Sequence, residues 1–131
     1  MSITTWKKDF YPVSARNANK NPIKALDHSI LKWSGLHDKI LKQYGLYAKH
    51  DELFDLKTNK VVFNIDAPTC ALCLYDNTVE NDEPCSICPI TVYAKKTCGA
   101  EYHSFKMTNS PKAMLTLLKK TRRLFLKENK K

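Results

Sequence analysis

The sequence predicts an α-rich α+β protein with two main helices, a small β element and a loop module set between them. Three observations predict it. Two long stretches carry apolar residues at spacings of three and four, and each opens on a capping residue followed by proline, Asn21-Pro22 and Ser110-Pro111. One β-branched run, Val61, Val62, Phe63 and Ile65, reads as a strand. Five cysteines fall within 29 residues, as Cys70-x2-Cys73, Cys85-x2-Cys88 and Cys98, in a stretch without helical period.

Length and composition bound the rest. The 131 residues are enough for one domain, 1–131, and too few for two. A hydrophobic content of 43% with 27% charged residues is that of a globular chain. No apolar run is long enough to span a bilayer, and residues 1–8 lack the apolar core of a secretory signal. The expected compartment is therefore the cytosol, where paired thiols hold metal more often than they form disulfides.

Taken in order, residues 1–20 read as an extended or irregular N-terminal arm folded onto the core. Ile3, Trp6, Phe10, Tyr11 and Val13 are its apolar anchors, costly to leave in water. Residues 21–45 read as a single core helix with the stripe Ile23, Leu26, Ile30, Trp33, His37, Ile40 and Tyr44. Lys24, Lys32, Lys39 and Lys42 lie on its far side. Gly35 marks a bend or a close helix contact, and Gly45 a stop. Residues 47–56 read as a short helical turn, Thr58-Asn59 as a turn, and residues 90–93 as a second short strand. Residues 66–105 form the cysteine module. Residues 110–131 are a basic C-terminal helix that buries Met114, Leu117, Leu118, Thr121, Leu124 and Phe125.

Thiolates at Cys-x2-Cys spacing can approach one ion from a tight turn, and zinc prefers four such ligands. The default set is Cys70, Cys73, Cys85 and Cys88, with Cys98 and His103 as alternates. The 11 residues between the pairs are fewer than a zinc ribbon uses, so a compact loop of another kind is expected. An iron–sulfur cluster fits less well, because its cysteines are more closely grouped. Zinc binding worth about 10–16 kcal/mol would rival the whole folding stability of so small a chain. A four-thiolate zinc has no open position for substrate, so the expected role is structural.

No catalytic constellation is identified. His37 on an apolar stripe reads as a core histidine, and Cys98 with His103 lacks any orienting group. Three glycines leave no room for a phosphate-cradling loop. Charge is the remaining signal. The 22 basic and 13 acidic residues give +9, and residues 119–131 carry seven positive side chains against Glu128 alone. Lys119, Lys120, Arg123 and Lys127 are the candidate nucleic-acid contacts on the helix face opposite its apolar stripe. Tyr93 and Tyr102 are candidate stacking rings, although packing against the zinc loop is the more ordinary explanation.

The motifs Ala25-Leu26-Asp27-His28-Ser29-Ile30-Leu31-Lys32-Trp33, Cys70-Ala71-Leu72-Cys73, Cys85-Ser86-Ile87-Cys88-Pro89 and Cys98 before Tyr102 resemble those of a set of small uncharacterised proteins of bacteriophages and some bacteria. The resemblance covers about residues 23–105. It departs where family members carry Thr-Gly and Thr-Pro-Tyr, since this chain has Lys96-Thr97-Cys98-Gly99 and Glu101-Tyr102-His103. It implies a phage accessory origin without a known activity, and a place for Cys98 in the motif. The expected function is non-enzymatic: a zinc-stabilised accessory protein that binds nucleic acid, or a nucleic-acid-containing assembly, in the cytoplasm of a bacterial host. The alternatives are a protein-binding inhibitor of a host defence or metabolic factor, and sequestration of a small phosphorylated signal.

Overall fold

The computed structural model describes residues 3–18, 21–49, 52–65, 89–95, 99–108 and 110–128. The protein is helix-rich with a small three-stranded antiparallel sheet. In chain order the elements are α1 (Ile3–Phe10), α2 (Ala15–Ala18), α3 (Pro22–Ser34), α4 (Asp38–Gln43), β1 (Leu46–Lys49), β2 (Glu52–Asp55), β3 (Val61–Asn64), α5 (Pro89–Ala94), α6 (Gly99–Thr108) and α7 (Lys112–Glu128).

Within the N-terminal arm the chain is helical at Ile3–Phe10 and Ala15–Ala18, not extended. Ile3, Trp6 and Phe10 fall at spacings of three and four, which puts them on one face of α1, and Pro12 follows its end. Trp6 is fully buried and donates its indole N–H to the Gly35 carbonyl oxygen at 2.8 Å. Phe10 lies so close that a Cβ added at Gly35 would stand 2.4 Å from its ring. Only glycine admits this approach.

The expected single helix over residues 21–45 breaks at that contact. Asn21 caps α3 as the sequence indicates, its side-chain oxygen accepting from the Lys24 amide at 2.9 Å. The helix then ends at Ser34, and α4 restarts after His37. The buried face of α3 also differs from the apolar stripe. Ala25, Leu26, Ser29, Lys32 and Trp33 are buried, while Ile23 and Ile30 lie at its edge. At about 100° per residue, the face is turned roughly a quarter of the way round from the expected one. Lys32, expected on the solvent side, is fully buried and donates to the Ile65 carbonyl oxygen at 2.9 Å. His37 is only partly buried beside the break, and the core histidine is His28 instead.

Residues 47–56, expected as a helical turn, belong to a β-hairpin. Gly45, at φ 71, turns the chain into β1, which pairs Leu46 with Asp55 and Ala48 with Leu53. Leu46 and Leu53 are buried, whereas Tyr47 and Phe54 stack at 5.2 Å on the partly exposed face. The turn into β3 is set by Asp55, whose carboxylate accepts from the amides of Lys57 and Thr58, and by Asn59 at φ 57. β3 completes the sheet, with Phe63 opposite Leu53.

The second expected strand, residues 90–93, is helix α5. Its β-branched composition yields to packing: Ile90 is buried, and Tyr93 meets Phe125 edge-on at 5.2 Å. Part of the cysteine module, expected as loop, is likewise helical in α5 and α6. The last helix follows its expected period except toward its end, where Leu124 and Phe125 are only partly buried. Met114, Leu115, Leu117, Leu118 and Thr121 are buried against α3, α5 and α6. Trp33 joins the two halves of the core, its ring edge-on to Tyr102 at 5.7 Å and to Phe105 at 4.9 Å. No helix among the described residues is long and apolar enough to cross a membrane.

Candidate nucleic-acid interface

Burial of one side of α7 determines what its other side presents. With Met114, Leu117, Leu118 and Thr121 inward, Lys112, Lys119, Lys120, Arg123 and Lys127 are all exposed. At 100° per residue these five lie within about 100° of arc, so their stems rise from one strip of the helix. Arg122 leaves the strip: it reaches back to α3, where its guanidinium donates to the Asp27 carboxylate at 2.6 Å. This pair is solvent-exposed and worth little by itself; the rotation of α7 is set by its buried stripe. Thr121, fully buried, donates its hydroxyl proton to the Leu117 carbonyl oxygen at 2.8 Å and so enters the core without an unsatisfied group.

Beside the strip runs an open groove of about 680 Å³ between α6 and α7. Glu101, Ser104 and Thr108 line it from α6, and Lys112, Thr116 and Lys120 from α7. Ala113 and Leu117 add apolar lining. Sequence reasoning did not find this groove, because it depends on the face that α6 turns toward α7. The signal was the spacing of Glu101, Ser104, Phe105 and Thr108, a helical stripe that is polar on one flank.

The aromatic candidates are not a stacking platform. Tyr93 packs on Phe125 and Tyr102 on Trp33, both partly buried. His103 is exposed on the side of α6 opposite Phe105. Cys70, Cys73, Cys85, Cys88 and Cys98, the expected zinc ligands and their alternate, all lie outside the described residues. Among the described residues no three His, Cys, Asp or Glu side chains cluster as metal ligands. What is described is the frame of the module. The chain enters it from buried Ile65 and returns through buried Pro89 and Ile90.

Electrostatics elsewhere are local. Burial holds the His28 imidazole below its ordinary pKa, the Val13 carbonyl opposes this by accepting from Nε2 at 2.6 Å, and the Lys32 charge adds to the lowering. Asp55 is held below the usual carboxylate range, chiefly by the Thr58 and Lys57 amides it accepts from.

No protein-family model, curated protein or solved structure matches the chain.

Proposed function

We propose that this protein is a non-enzymatic accessory protein of phage type that binds nucleic acid, or a nucleic-acid-containing assembly, in the host cytoplasm through the cationic strip of α7. A zinc ion held by Cys70, Cys73, Cys85 and Cys88 is the proposed structural cofactor of the intervening module. One observation carries the binding reading: Lys119, Lys120, Arg123 and Lys127 share one exposed strip while the opposite side of the helix is locked into the core. Four cations on a rigid helix can neutralise several phosphates at once, and each contact releases condensed counterions. Recognition of this kind reads charge and spacing rather than base sequence.

Replacing Lys119, Lys120, Arg123 and Lys127 with Gln removes the charge and keeps helix propensity. In an electrophoretic mobility assay across a salt series, the parent should bind DNA or RNA at low salt. The variant should stay folded, bind more weakly and show a shallower salt dependence. Equal binding by parent and variant, or none by the parent, would leave the strip a solvated face and favour the protein-binding inhibitor. Elemental analysis of protein purified without added metal should find about one zinc per chain. Iron, or no metal, would overturn that part.

A further inference from the structure

We propose that the outer face of the three-stranded sheet holds unpaired bases of a nucleic-acid strand by stacking them on the Tyr47–Phe54 pair. The inference rests on the nucleic-acid reading of the α7 strip and gives the protein a second, aromatic surface for the same partner.

Strand alternation separates the two sides of the sheet. Leu46, Leu53 and Phe63 turn into the core and are buried. Tyr47 and Phe54 are therefore carried on the other side, where the register sets Tyr47 opposite Phe54 and Phe54 opposite Val61. The two rings lie nearly parallel, 12° apart with centroids separated by 5.2 Å. Unlike Tyr44, Ala48 and Val62, neither packs against the buried core. Val61 is 50% exposed, and Leu56, just past β2, is 48% exposed. Cross-strand pairing explains why the two rings meet. It does not explain why exposed Val61 and Leu56 extend the apolar surface around them, a feature that marks binding surfaces.

Charge decides what such a surface takes. The Tyr47 hydroxyl donates to the Asn59 side-chain oxygen at 3.2 Å, which ties the ring to the turn between β2 and β3. That turn carries Lys57 and Lys60, both exposed, and exposed Lys49 follows Tyr47 by two residues on the same side of β1. The acids nearby are engaged or balanced. The Asp55 carboxylate accepts from the Lys57 and Thr58 amides, and Glu52 stands opposite Lys49 in the register. A wholly apolar partner would leave the ammonium groups unused, and a polyphosphate would leave the rings unused. A second copy of this chain, itself at +9, would bring like charges together. A strand with unpaired bases uses both sets, its bases stacking on the rings and its phosphates meeting the lysines.

The test separates bases from phosphates. Fluorescence anisotropy would compare a labelled oligothymidylate with an abasic strand of the same length, which keeps every phosphate and lacks the bases. The parent should bind the strand with bases about fivefold or more tighter. Tyr47→Leu with Phe54→Leu keeps apolar bulk and removes the rings; it should abolish that difference and leave the abasic affinity unchanged. If the double variant melts early, Tyr47→Leu alone carries the comparison. Exchanging Lys119, Lys120, Arg123 and Lys127 for Gln should instead weaken both strands and preserve their ratio. A parent that binds both strands equally, or a leucine variant that keeps the difference, would overturn the sheet face and leave the α7 strip standing. Tighter, Tyr47-dependent binding of a Glu–Tyr copolymer would overturn it in favour of an acidic protein partner. A parent that binds neither strand would overturn both surfaces.

Discussion

At the scale of the residue, Lys32 is where hydropathy and position disagree. An ammonium buried among apolar groups is costly unless hydrogen-bonded, and here it anchors the carbonyl at the end of β3. Lys32→Met keeps the length of the side chain but leaves the Ile65 oxygen without this donor. It should lower stability by about 1.5–3 kcal/mol, whereas Lys24→Met on the exposed side of α3 should be nearly neutral. Urea titrations of the two variants check this, and equal midpoints would contradict it. His28 gives a second, pH-dependent outcome. Its Nε2 donates to the Val13 carbonyl oxygen, which fixes the neutral tautomer, and Nδ1 is buried without a partner among the described residues. With a folded pKa below the ordinary 6.5, the unfolded chain binds the proton more readily. The contribution of neutral His28 is therefore intact above pH 6.5 and declines as pH falls through the folded value. His28→Gln should flatten the dependence of unfolding free energy on pH across that window and leave the alkaline side unchanged.

Elements show how far the sequence could be read. Helix α3 is legible because its apolar period and the Asn21-Pro22 pair agree, and α7 because of its long apolar period, from which its exposed cations also follow. The hairpin was not legible: β1 and β2 bury little more than Leu46, Ala48 and Leu53, and the polar residues between them resemble a helical turn. In α5 the β-branched residues pointed to a strand, but spacing of Ile90, Tyr93 and Ala94 against α7 decided the outcome. The rotated face of α3 could not be read at all, since Ser29 and Lys32 are polar residues placed inside by partners distant in sequence. Trp33 remains the hinge of the packing under either rotation. Trp33→Ala removes the ring that meets both Tyr102 and Phe105 and should cost about 3–5 kcal/mol. Near-ultraviolet circular dichroism with thermal melting would record the loss, and an unshifted melt would place Trp33 outside the core.

Across the whole molecule, the core is assembled from two stretches of chain, α1 to β3 and α5 to α7, which meet chiefly through α3 and α7. α7 carries Lys119, Lys120, Arg123 and Lys127 exposed and away from its buried side, while Arg122 turns to Asp27 on α3. Buried Ile65 and buried Pro89 stand at the two mouths of the cysteine segment, and this has a kinetic consequence. The two stretches of core on either side of the segment cannot dock until a search by the intervening chain has brought them together, and the entropy of that search grows with the length of free chain. A zinc ion that ties the first cysteine pair to the second would shorten the free chain before the core forms. The metal would then act less as a rivet in the finished protein than as a splint that hastens its assembly.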